Sequence, residues 1–329
     1  MTPATCTKDS TFPPLPHDVQ RLILECSAYH DRSMALKLVG LSRKVQTWID
    51  PILYRHVTLE YPYQAEAFVR TLETSNKRHS FLATQVKILC FAYGIALRDA
   101  VKILSVCKRV TSLASWLELS QLTDDFTHSD LESFSKLLTN GTLELHRLSM
   151  ILHDFLCVPD PDFTIPIFRH VTHLDIYQGS DHFGDWSWTG FRDLSNLTHL
   201  SFDISLSTPL EIVHEVLPHA PPNLRLCLVL LSTRNSTLSI KQFCSGNELL
   251  ESIAEGKVDP RLVIGTNEPL EEECRYGGLV IVHLYDDVSE TSSRKGESRR
   301  TLDLTTEFRA CVPAGCSRTR RLAGPWVKV

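Results

Sequence analysis

Apolar positions follow a helical rhythm at the start of the chain and a different rhythm after it. In residues 15–59, Val19, Leu22, Ile23 and Cys26 recur at spacings of three and four, which makes one helical face. Leu15-Pro16 opens this run, because proline can begin a helix without losing a needed backbone donor. The polar break His30-Asp31-Arg32-Ser33 carries helix-start chemistry ahead of Met34, Leu36, Leu38, Val39 and Leu41. A third run holds Val45, Trp48, Ile49, Ile52 and Leu53, and Pro51 is expected to bend or restart it. Three short helices in about 45 residues bury too little apolar surface to stand well alone, so a partner for them is expected.

From residue 86 the pattern becomes apolar, two residues, apolar, one residue, apolar. It reads Val86-x-x-Leu89-x-Phe91, Leu145-x-x-Leu148-x-Met150, Val171-x-x-Leu174-x-Ile176 and Leu197-x-x-Leu200-x-Phe202. Val110-x-x-Leu113 fits the first half with Ser115 in the last place, and Leu224-Arg-Leu226-Cys-Leu228 reads as a looser copy. The starts lie 24, 35, 26, 26 and 27 residues apart, mostly within the period of leucine-rich repeats. Helical spacing fills the gaps at 65–74 ahead of the first phrase and at 97–106, 130–138 and 209–217 between later ones. Strand then helix at this period predicts an α/β solenoid with a parallel strand ladder. Gly179 and Ser205 stand where such repeats usually carry Asn, so the coils are expected to be imperfect. A non-repetitive α/β domain remains the alternative. Two further strand-like pieces lie at 261–264 and 279–284.

Alternation along each strand turns the phrase leucines inward and the intervening residues to the other face. Those open positions are Arg147, Ser149 and Ile151, then His173, Asp175 and Tyr177, then His199, Ser201 and Asp203, with Trp116 in the matching place one coil earlier. Parallel strands about 4.8 Å apart would set His173 beside His199 and Asp175 beside Ser201. Trp116, Arg147, His173, Asp175, Tyr177, His199, Ser201 and Asp203 thus form a candidate target-binding stripe, the plainer reading being a solvated face. Ser201, His199 and Asp175 do not make a catalytic triad, because a strand offers no strained elbow and no GxSxG occurs. His170, His173 and His199 lack the spacing of a metal site. Trp186 and Trp188, with Phe183 and Phe191, are either a binding patch or a loop packed on the solenoid edge.

Several residues of the opening segment carry a resemblance. Leu15-Pro16, Leu22-Ile23-Leu24, Ala35-Leu36, Leu38-Val39, Leu41-Ser42, Val45, Trp48 and Ile49 resemble an F-box, the helical module by which substrate receptors dock on the adaptor of SCF-type ubiquitin ligases. The wording LSRKVQTWIDPILYRHVTL is more similar still to the F-box-like start of basidiomycete fungal proteins, and VTHLDIYQGSDHFGDWSWTGFRDLSNLTHLSFD resembles the mid-region of the same family. His17 stands where many F-boxes place an acidic residue after the Leu-Pro pair. The resemblance implies adaptor docking through Leu15, Pro16, Ile23, Leu24, Val39, Leu41 and Trp48, and an unknown protein substrate held by the repeats. It implies a non-catalytic receptor. The alternative is a repeat-based binding or structural protein whose helical head is only an N-terminal cap.

Composition narrows this further. The 329 residues are 43% hydrophobic and 22% charged, values ordinary for a globular chain. The net charge of -5 argues against general nucleic-acid binding. Residues 291–329 hold nine Lys/Arg against Glu297, Asp303 and Glu307, so this stretch is a basic tail, read as a solvated charge run. No apolar run reaches the length of a spanning helix, and the first residues lack a signal peptide's pattern. The ten cysteines include no CxxC, which suits reduced thiols in the cytoplasm or nucleus. Asn140-Gly-Thr, Asn196-Leu-Thr and Asn235-Ser-Thr then match the glycosylation sequon by chance. No Walker A, GxGxxG, HExxH or EF-hand loop is present, so no cofactor is expected. The expected organisation is a disordered 1–11, an F-box-like head at 12–60, a leucine-rich-repeat-like domain at 61–288 and a disordered tail at 289–329.

Overall fold

The computed structural model describes residues 15–74, 76–117, 128–152, 162–177, 186–205, 212–232, 248–249, 252 and 257–267. The readings made for 1–11, for Phe183, for the strand at 279–284 and for the tail at 289–329 lie outside the described residues. The chain divides into two compact units, 1–57 and 58–329.

The first unit holds helices α1 (His17–His30), α2 (Arg32–Leu38) and α3 (Arg43–Arg55), each packed on the other two. The starts of α2 and α3 follow from side-chain caps. Asp31 accepts from Ser33 N–H at 2.7 Å, and Ser42 accepts from Val45 N–H at 3.2 Å. Helix α3 runs through Pro51 to Arg55 and does not restart, a correction to the sequence reading. Proline removes one backbone bond, and Ile49 on one side of it and Ile52 and Leu53 on the other pack into a single cluster. That cluster buries Ala28, Ala35, Leu38 and Ile49, with Leu24, Val39, Val45 and Trp48 half-buried around them.

The second unit is an α/β, solenoid-like arrangement. Eight strands lie in one sheet in chain order: β1 (His56–Leu59), β2 (Ile88–Phe91), β3 (Ser112–Ser115), β4 (Arg147–Met150), β5 (His173–Tyr177), β6 (His199–Ser205), β7 (Leu226–Ser232) and β8 (Leu262–Asn267). Every pairing from β2 to β8 is parallel. Leu89, Leu113, Leu148, Leu174 and Leu200 stand in one row, and Phe91, Ser115, Met150, Ile176 and Phe202 in the next, all buried. The phrase and the strand ladder are therefore one feature.

At β7 the register differs from the sequence reading. Cys227, not Leu226, pairs with Leu200, and Val229 pairs with Phe202. The phrase there is Leu224-x-x-Cys227-x-Val229, which keeps the spacing of the other coils. A one-residue slip sends each side chain to the opposite face, so Leu226, Leu228 and Leu230 leave the main core. They form a separate cluster with Val263.

Between strands run α4 (Pro62–Thr74), α5 (Asn76–Gln85), α6 (Leu97–Val106), α7 (His128–Thr139) and a short α8 (Ile212–Val216). Helix α6 buries Leu97, Ala100 and Leu104 as its spacing predicts, with Ile103 buried where the spacing had placed Val101, which is half-buried. The coils that enter β5 and β6 use 3-10 turns, Pro166–Phe168 and Trp188–Asp193. A 3-10 turn covers more length per residue than an α-helix, which suits a shorter coil. Aromatic rings fill the width that an α-helix would take. Phe163 meets Phe191 edge-on at 5.2 Å, and Trp188 meets Phe191 and Phe202 edge-on at 5.8 and 5.7 Å. Trp186, Trp188 and Phe191 are all buried, so the aromatic segment is packing and not an exposed patch.

Polar side chains tie coil to coil. Asn196 Nδ2 donates to Arg169 O and Asn223 Nδ2 to Ser195 O, both at 2.6 Å. The inter-coil asparagine is present, one residue ahead of the leucine phrase. Thr172 Oγ1 donates to His146 O at 3.0 Å, and Thr198 Oγ1 to Thr172 O at 2.9 Å.

Candidate protein-interaction sites

On the first unit, the apolar stripe that marked α1 as a helix is not its core face. Leu15, Leu22, Ile23 and Leu41 are 54%, 61%, 49% and 66% exposed, and Val19, Cys26, Met34 and Leu36 are exposed too. Helix α1 instead turns Leu24 and Ala28 inward. Of the seven residues expected to dock an adaptor, Leu15, Pro16, Ile23 and Leu41 lie at the surface. Leu24, Val39 and Trp48 are half-buried within the helical cluster, and Lys44 Nζ sits 5.4 Å from the centre of the Trp48 ring. Val19, Leu22, Met34 and Leu36 join the exposed set. Their periodicity was legible, but which face it marked was not.

On the second unit, the register brings together the stripe expected from alternation. Arg147, His173 and His199 occupy one cross-strand row, and Ser149, Asp175 and Ser201 the next. The stripe is not the solvated surface that alternation alone suggests. Trp116, Ser149, Asp175, His199 and Ser201 are buried, while Arg147 and His173 are half-buried. Tyr177 pairs with Asp203 in backbone register, and both side chains lie outside the described residues.

A hydrogen-bonded relay crosses three strands. Trp116 Nε1–H donates to Ser149 Oγ at 3.1 Å, and Ser149 Oγ–H donates to Asp175 Oδ2 at 2.6 Å. Burial pushes the Asp175 carboxyl up to about 6, against the hydrogen bond from Ser149 and a smaller pull from Ser201. Ser201, in register with Asp175 on the next strand, favours the ionised form as Ser149 does.

Beside this relay, the His173 and His199 rings stack at 4.3 Å and 4°. Their Nδ1 atoms lie 2.8 Å from Thr172 and Thr198 Oγ1 respectively. The same threonine hydroxyls therefore link each histidine ring to the carbonyl of the preceding coil. The threonines were missed from the sequence, although the repeated Thr-His-Leu at 172–174 and 198–200 was in plain view.

Ser149, rather than a histidine, holds the Asp175 carboxylate. His170 is exposed ahead of β5, and the described residues contain no group of three or more His, Cys, Asp or Glu able to hold a metal ion. Burial pushes the Cys90, Cys107 and Cys227 thiols up to about 12, which suits packing and not nucleophilic chemistry. Among the described residues no helix is long and apolar enough to cross a membrane. No family model and no curated protein matches the chain.

Proposed function

We propose that the chain is a non-catalytic protein-interaction receptor. Its helical head docks the adaptor of an SCF-type ubiquitin ligase, and its repeat unit holds a protein target. One observation carries the first half: the start of the unit, α1, α2 and the turn after them expose Leu15, Val19, Leu22, Ile23, Met34, Leu36 and Leu41 on a unit whose own core is small. Exposed apolar side chains gathered on one small unit mark an interaction surface, and large ones are frequent hot spots. The F-box resemblance supplies the occupant.

The experiment is co-expression of the full chain with a fungal SCF adaptor, followed by size-exclusion chromatography. Ile23→Asp and Leu41→Asp are the informative variants, because both side chains are exposed and neither belongs to the helical cluster. Trp48→Ala is not, since it removes a ring packed in that cluster. Co-elution of wild type, lost in both aspartate variants, supports the reading. Separate elution of a well-folded wild type contradicts it.

A further inference from the structure

One end of the helical head holds a cation that no carboxylate among the described residues engages. Lys44 Nζ donates to His17 Nδ1 at 3.3 Å and sits 5.4 Å from the centre of the Trp48 ring. An ammonium has donors only, so the imidazole nitrogen accepts. This contact ties the first turn of α3 to the first turn of α1. Leu15 and Leu41 stand just ahead of those two turns and are 54% and 66% exposed. Lys44 is itself exposed at the same end of the unit.

The charges around it are unbalanced. Residues 15–57 hold six Lys and Arg against four Asp and Glu. Two of the four carboxylates are already engaged, Glu25 with Arg21 at 2.7 Å and Asp31 in capping α2. Helix α3 opens on Arg43 and Lys44 with no acidic residue in its first turn, a placement that the helix dipole disfavours. Between an imidazole and an indole, the Lys44 ammonium is held in position with a donor left over. A held donor loses less freedom on pairing than a free lysine does.

We propose that Lys44 is the polar anchor of the docking face. The adaptor surface it meets presents an Asp or Glu carboxylate, flanked by apolar side chains that cover Leu15 and Leu41. The proposal rests on the reading of the head as the docking part and adds a residue and a charge to it. The competing occupant for apolar side chains beside cations is an anionic membrane. Helix α1, which carries much of the apolar stripe, favours a protein. It has a single Arg, paired with Glu25, and an exposed Asp18. A membrane-surface helix is instead rich in Lys and Arg on its polar face.

The test is binding of the purified full chain to a purified fungal SCF adaptor, by isothermal titration at low and at high salt. Lys44→Met keeps the stem over Trp48 and removes the charge, Lys44→Glu reverses the charge, and Lys44→Arg keeps it. At low salt Lys44→Met should bind about fivefold more weakly and Lys44→Glu at least about tenfold more weakly, the scale of one charge contact at an interface. Lys44→Arg should bind nearly as wild type. The gap between wild type and Lys44→Met should narrow at high salt. Equal binding by wild type, Lys44→Met and Lys44→Glu overturns the proposal and leaves the docking reading intact. Equal losses in all three variants, with lowered unfolding midpoints, overturn it by marking Lys44 as a packing residue. Absence of wild-type binding overturns both readings. Sedimentation of the full chain with vesicles of phosphatidylserine and phosphatidylcholine in equal parts, lost in Lys44→Glu, overturns it by giving the surface to lipid.

Discussion

Ser149 and Asp175 sit side by side on β4 and β5, and the serine hydroxyl donates to the carboxylate at 2.6 Å. Burial, opposed by this contact, sets the protonation of the carboxyl. The folded-state pKa of Asp175, about 6, lies above its ordinary value of 3.8. The folded chain therefore binds the proton more tightly than the unfolded chain does. The resulting stability is full below about pH 4 and is lost as pH rises through about 6. Asp175→Asn removes the titration. The variant should be more stable than wild type at pH 8 by roughly 1–3 kcal/mol, and the difference should vanish near pH 4. Urea unfolding at the two pH values measures this. A wild-type advantage at pH 8 would contradict it.

Two buried serines should respond oppositely. Ser115 Oγ is buried in the row of Phe91, Met150, Ile176 and Phe202 without a hydrogen-bond partner, whereas Ser149 Oγ links Trp116 to Asp175. Ser115→Ala should be neutral or stabilising by up to about 1 kcal/mol, because a desolvated hydroxyl is removed. Ser149→Ala should destabilise by about 1–3 kcal/mol, because it leaves a buried indole N–H and a carboxylate oxygen unpaired. Thermal unfolding of both variants against wild type makes the comparison.

The aromatic fill of the 3-10 coils should be a strong point of the fold. Phe191 is fully buried between Phe163 and Trp188. Phe191→Ala should lower stability by about 3–5 kcal/mol. Asn196→Ala removes one hydrogen bond between coils and should lower it by only about 0.5–1.5 kcal/mol. Denaturant midpoints of the two variants test the ranking.

How far the fold was legible in the sequence depends on how much redundancy each stretch carries. The coils from Val86 to Phe202 could be read because three apolar places per phrase, two in the Val110 phrase, agree on one register. At β7 the run from Leu224 to Leu231 is apolar on both faces apart from Arg225, so alternation could not choose between Leu226 and Cys227. Strand β1 went unread because His56-Val-Thr-Leu follows a helix directly, with no turn residue between. Helix α5 went unread because Asn76–Gln85 has few apolar positions to set a period. In the head, the period of Val19, Leu22, Ile23 and Cys26 announced a helix but not which way it turned. A stripe that meets a partner and a stripe that meets a core have the same spacing.

The polar stripe was legible in its pairing and not in its burial. His173 beside His199 and Asp175 beside Ser201 follow from strand spacing alone. Alternation says which face a side chain takes and nothing of whether that face meets water.

The central claim is that the exposed face of the head is a docking surface. Its most direct test is the affinity of the purified full chain for the purified adaptor, measured by isothermal titration for wild type and for Ile23→Asp. The account predicts saturable binding by wild type and a loss of at least about tenfold in the variant, the scale of one exposed apolar anchor, with unfolding midpoints unchanged. Equal binding by both proteins, or none by wild type, would contradict it.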